Sequence, residues 1–159
     1  MTTDNGKPTP EAQLQSFYDR FEPAHQKFIR SVQAAVRKRL PTANELVYDY
    51  SSFFVISWSP TDKGIDGIVS IAARADRVEL YFNHGPKLPD PKKLLRGSGK
   101  LTRFIRVEAA RQLAHPDVEA FIAAAIDHSG VALSSERKGS LVIKTNKTVG
   151  AKKPRLRST

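Results

Sequence analysis

Residues 46–82 read LVYDYSSFFVISWSPTDKGIDGIVSIAARADRVELYF, and this stretch decides the fold. Four runs within it, Leu46–Tyr50, Phe53–Trp58, Gly67–Ala73 and Val78–Phe82, are rich in β-branched and aromatic side chains, the types that fit a pleated surface. Ser59-Pro60-Thr61-Asp62-Lys63-Gly64 and Ala75-Asp76, between these runs, are turn chemistry. The short Ala75-Asp76 link suits a hairpin, and no gap here holds the dozen or so residues of a parallel crossover. The sheet is therefore expected to be antiparallel. Val78, Leu80 and Phe82 alternate with Glu79 and Tyr81, the pattern of a strand with one wet face.

Upstream the period becomes helical. Thr9-Pro10-Glu11 reads as an N-cap with proline at the first helical position, opening a short helix from Glu11 to Phe21. Pro23 opens a second helix, to Leu40, with Phe28, Ile29, Val32 and Val36 on one face and Lys27, Arg30, Arg37 and Lys38 on the other. Downstream, Pro91 to Arg96 reads as a single helical turn and Thr102–Val107 as a fifth strand. Pro116 opens a last helix, with Asp117 and Glu119 in its first turn, ending at His128 and Gly130. Leu141–Ile143 is a short strand. The expected fold is α+β: one domain, with an antiparallel sheet of about five strands packed against N-terminal and C-terminal helices. Residues 1–10 read as a flexible tail and 11–133 as the domain. Residues 134–159 read as a basic extension that is disordered beyond its short strand.

With 159 residues, one domain is the default. Cysteine is absent, which excludes disulfides, Cys-ligated zinc, iron–sulfur clusters and thiol nucleophiles. No apolar run approaches the roughly 20 residues that span a bilayer, and Met1 to Pro10 lacks the apolar stretch of a signal peptide. The chain reads as soluble and cytoplasmic. Its formal charge of +10 is uneven. Ser134–Thr159 holds eight Lys and Arg against Glu136, and Lys87–Arg111 holds eight against Asp90 and Glu108. Two basic zones on a mildly acidic remainder are open to two readings: the footprint of a phosphate-bearing partner, or solubility charge on a loop and a tail.

The stretch from Leu46 through the run LPDPKKLLRGSGK (Leu88–Lys100) to Val107, and the helix HPDVEAFIAAAI after it, resemble the YdhG-like domain of unknown function family. The Tyr48-Asp49 pair and Leu88–Lys100 are the most distinctive parts, and the likeness covers roughly Pro23 to Ile126. The resemblance implies an antiparallel sheet packed against helices and supplies no reaction. Part of the family is grouped with frataxin-like iron chaperones, whose acidic ridge offers oxygen ligands to a hard cation. Here the first helical region has only Glu11, Asp19 and Glu22 among its basic residues.

Gly97-Ser98-Gly99-Lys100 fails as a phosphate-binding Walker loop. Leu94 stands where the first glycine is needed, Leu101 replaces the Ser/Thr, and a strand follows where a helix is required. A glycine turn can still present amides to an anion, so Lys92, Lys93, Arg96, Ser98, Lys100, Arg103 and Arg106 are anion-binding candidates. On the tail, Lys152, Lys153, Arg155 and Arg157 are further candidates. No pair among His25, His84, His115 and His128 has helical metal-site spacing, and G-x-S-x-G is absent, so no metal, cofactor or catalytic residue is assigned. Tyr48, Asp49, Trp58 and His84 are candidates to line a pocket on the sheet.

The leading expectation is a non-enzymatic binding module for an anionic partner, a phosphate-bearing ligand or nucleic acid. The alternatives are a small-molecule-binding or enzymatic domain with its pocket on the sheet, then a frataxin-like iron chaperone. The oligomeric state stays open, with an unpaired sheet edge offering a route to a homodimer.

Overall fold

The strand-forming runs pair in the order they occur. The computed structural model describes residues 3–4, 7–136 and 138–144. Near the N-terminus β1 (Thr3–Asp4) and β2 (Lys7–Pro8) pair antiparallel. Helix α1 (Pro10–Tyr18) follows, its first turn capped by the Thr9 hydroxyl, which accepts from the Ala12 amide at 3.2 Å. Helix α2 (Pro23–Arg39) begins at the proline the sequence marks and ends on Arg37, Lys38 and Arg39, which suit the negative end of its dipole.

Strands β3 (Asn44–Asp49), β4 (Phe54–Ser59), β5 (Val69–Ala73), β6 (Val78–Asn83) and β7 (Thr102–Val107) form an antiparallel meander. After α3 (Pro116–Asp127), β8 (Leu141–Ile143) pairs with β3, giving the order β7-β6-β5-β4-β3-β8. That pairing is parallel, so the six-stranded sheet is mixed and not wholly antiparallel. The reason is length. The segment from Val107 to Leu141, unlike the links inside the meander, has room to carry α3 across the sheet to its opposite edge.

One face of the sheet carries the main core. Val47, Ile56, Ile71, Leu80 and Ile105 form one cross-strand row, flanked by rows containing Trp58, Val69 and Phe82 and Phe54, Ala73 and Val78. These side chains pack with Leu14, Ile29, Val32, Val36, Phe121 and Ile122 from the three helices. Phe54 is fully buried, with its ring 6.0 Å from Phe17, 5.2 Å from Tyr18 and 6.0 Å from Phe21.

On the opposite face lies a smaller cluster of Val55, Ala72 and Tyr81, bordered by Tyr48, Tyr50, Phe53 and Phe104. Here the wet-face expectation for β6 fails: Glu79 and Tyr81 are 7% and 2% exposed. Tyr81 stacks on Phe104 with centroids 4.9 Å apart, and Glu79 accepts from Arg74 at 2.8 Å and Arg77 at 3.1 Å. Alternation marks which face a residue is on, not whether neighbours cover it.

Burial alone would raise the Glu79 pKa, but the bonds from Arg74 and Arg77 outweigh it and hold the carboxyl below the ordinary 4.5. A lowered folded pKa stabilises the protein above the ordinary value, and that stability is lost as pH falls through the lowered one. Glu79→Gln is therefore expected to cost about 1–3 kcal/mol at neutral pH. Urea denaturation of both proteins against pH should show the gap closing below the ordinary value of 4.5. A gap that persists unchanged at acid pH would mean packing, not charge, is what glutamate supplies.

Pro91 to Arg96 forms no helical turn. The Asp90 carboxylate instead takes the amides of Leu94 and Leu95 at 2.8 and 2.9 Å, and Lys93 has φ 55°. Arg96 adds a single antiparallel bridge outside β7, to Phe104. No helix of the described residues is long and apolar enough to cross a membrane.

Candidate anion-binding groove

Gln33 interrupts the apolar face of α2 among Ile29, Val32 and Val36, and it is buried with them. A buried amide must find partners, and here it builds a network. Its Oε1 accepts from the Tyr18 hydroxyl at 2.6 Å, and its Nε2 donates to Glu45 on β3 at 3.0 Å. Glu45, 5% exposed, also accepts from Arg37 Nε at 2.7 Å and Nη2 at 2.8 Å, and from the Trp58 indole N–H at 3.0 Å. Four donors on one carboxylate justify its burial, and the fork of Arg37 neutralises it. Burial pushes the Tyr18 phenol well above its ordinary range, so it remains a donor.

Above this network lies a groove of about 730 Å³ between α1, α2 and the segment leading into β8. Four cations line it: Arg30, Arg37 and Lys38 from α2, and Lys138. Glu11 and Glu45 are its acids, and Glu45 is already paired with Arg37. Arg30 lies 3.9 Å over the Tyr18 ring and also bonds Gln15, which holds its guanidinium at the groove. Apolar lining comes from Leu14, Ala34, Pro41, Ala43 and Leu141. The far wall is fixed by Gly139, whose backbone abuts the Ala43 carbonyl so closely that a Cβ there would collide. The Ser140 amide donates to the Asn44 side chain at 2.9 Å, and the Glu45 amide donates to the Ser140 carbonyl at 2.8 Å.

The residues singled out from sequence lie elsewhere. Lys92 pairs with Asp117 at 3.1 Å, Arg106 with Glu108 at 3.3 Å, and Arg103 staples the glycine turn by bonding the Gly99 carbonyl. Lys93, Arg96, Ser98 and Lys100 are exposed along the loop. The four pocket candidates do not converge. Trp58 is buried beneath the helices, and Tyr48 belongs to the opposite face. Asp49 pairs with Arg20 at 2.8 Å. His84 is exposed beyond β6 with φ 60°, its ring 6.1 Å from His128. Lys152, Lys153, Arg155 and Arg157 lie outside the described residues.

Sequence reading missed the groove because Lys138 and Arg30, far apart in the chain, line one concavity only through the pairing of β8 with β3. The available signal was Gln33, a polar residue on an apolar helix face. Among the described residues, no three His, Asp or Glu side chains gather where they could hold a metal ion. No family model, no curated protein and no solved structure matches the chain, so its functional reading rests on the groove's own geometry.

Proposed function

We propose that the protein is a non-enzymatic binding module for an anionic partner, and that the groove between α1, α2 and β8 is the binding site. The observation that supports this most is the charge balance: four cations against two acids line one concavity, and with Arg37 paired to the buried Glu45, Arg30, Lys38 and Lys138 face only Glu11. Arg37 uses Nε and Nη2 on Glu45, which leaves Nη1 for a ligand and holds the guanidinium in place. Phosphate, on a small ligand or a nucleic acid, is the anion chemistry such a site suits. The likeness of Leu88–Lys100 to the YdhG-like family names no ligand and adds none here.

The test is titration of the isotope-labelled full chain with inorganic pyrophosphate, followed by amide chemical shifts. Shifts are expected at Arg30, Arg37, Lys38 and residues 138–141. Arg30→Glu combined with Lys38→Glu should weaken binding by about tenfold or more, since each reversal replaces attraction by repulsion at short range. Shifts confined to Lys92–Lys100 would move the site to the loop, and none anywhere would sink the reading.

A further inference from the structure

We infer that the groove takes a small amphiphilic anion, a phosphate or carboxylate head on an apolar body, clamped between α2 and the β8 segment so that occupancy holds β8 on the sheet. This rests on the anion-binding reading above and adds the class of ligand and its consequence for the fold.

The ligand class follows from the lining. The lining holds four cations and also the apolar Leu14, Ala34, Pro41, Ala43 and Leu141, with α2 and the β8 segment each contributing both kinds. A bare inorganic anion would leave that surface wet. At about 730 Å³ the groove has the size of sites that bury small organic ligands. A lining that offers both charge and apolar surface favours a molecule that carries both.

The coupling follows from how the wall is attached. Lys138, Gly139, Ser140 and Leu141 line the groove. They are held by the Gly139 amide on the Pro41 carbonyl at 3.2 Å, the two bonds of Ser140, and a three-residue parallel strand at the sheet edge. All three β8 residues are only half-buried, and the described residues between α3 and β8 form no helix or strand. A short edge element with few buried contacts opens at low cost compared with the meander. When it leaves, Lys138 and Leu141 leave with it and the groove loses a wall. A ligand that binds only the docked form must stabilise that form in proportion to its occupancy.

The experiment compares octyl phosphate below its micelle-forming range, inorganic phosphate and octyl glucoside on the full chain, with amide shifts and hydrogen exchange as readouts. Octyl phosphate is expected to bind about tenfold or more tighter than inorganic phosphate, from burial of two or more methylenes. Octyl glucoside, which has the chain without the charge, should not bind. At ten times its Kd, octyl phosphate should slow exchange of the Glu45 and Lys144 amides by about tenfold. Those amides donate to the Ser140 and Val47 carbonyls, so they report docking of the segment.

Gly139→Val should abolish the gain from the octyl chain, because its side chain would collide with the Ala43 carbonyl and push the segment off. Emission of the buried Trp58 checks that the variant stays folded. If it does not, exposed Lys138→Glu takes its place and should weaken octyl phosphate several-fold. Equal affinity for the two phosphates, unchanged exchange, or binding indifferent to the variants would overturn this inference and leave anion binding standing. Failure of both phosphates to bind would overturn the anion-binding reading as well.

Discussion

Glu45→Ala is expected to destabilise the protein by about 3–5 kcal/mol, because it strands two buried donors at about 1–3 kcal/mol each and removes two charge-assisted bonds from Arg37, whose half-exposed side chain can turn to solvent. The magnitude comes from what is left behind. Arg37 loses both bonds of its fork, the Trp58 indole N–H loses its acceptor, and Gln33 Nε2 is stranded. Trp58 is fully buried, so water does not readily replace the carboxylate. For a chain of this size the melting temperature should fall by roughly 10 °C or more. Glu45→Gln separates charge from hydrogen bonding: it keeps an acceptor for the indole but turns an amide toward Arg37, and an intermediate loss is expected. The same variant removes a negative charge from the groove, so it should bind anions more tightly while being less stable. Urea denaturation and pyrophosphate titration of the two variants test this together. A loss of stability under 1 kcal/mol for Glu45→Ala would mean that the network relaxes or hydrates.

This network also marks where the sequence stops being legible. The meander was readable because its strands are local: β-branched and aromatic runs, broken by Pro60, Gly64 and Asp76, leave little choice but hairpins. Helix starts at Pro10, Pro23 and Pro116 were readable for the same reason, each proline fixing its own local geometry. The parallel placement of β8 was not. Nothing within Leu141–Ile143 names β3 as its partner, and the pairing depends on α3 crossing the sheet. Basic residues were visible but not their pairings. Lys92 and Arg106 are engaged with acids, and Arg103 with a backbone carbonyl. Arg30 and Arg37, which read as a solvated helix face, line a groove because α1 and residues 138–141 flank it. Charge runs along a chain are one-dimensional, whereas a site is made by what the fold brings together.

Phe54→Ala is expected to cost about 3–5 kcal/mol, the range for emptying a fully buried aromatic site. Phe54 gathers Phe17, Tyr18 and Phe21 around one ring, with Phe21 nearly stacked at 20°. Two of those partners are on α1, which has 9 residues. Isolated helices shorter than about 12 residues are marginal in water, so α1 owes its order to this docking and not to propensity. The loss should therefore spread unevenly. Amides of α1 should exchange faster by more than the global change accounts for, while those of β5 and β6 follow global unfolding. Phe54→Leu, which keeps most of the volume, should recover more than half of the stability. Because Leu14 lines the groove and Tyr18 donates to Gln33, a loosened α1 should also weaken anion binding in Phe54→Ala. If stability falls as expected while α1 exchange and anion affinity both stay at wild-type levels, then α1 is held by its contacts with β8, and Phe54 is merely part of the core. If all three move together, a single ring on β4 supports the wall of the groove from beneath.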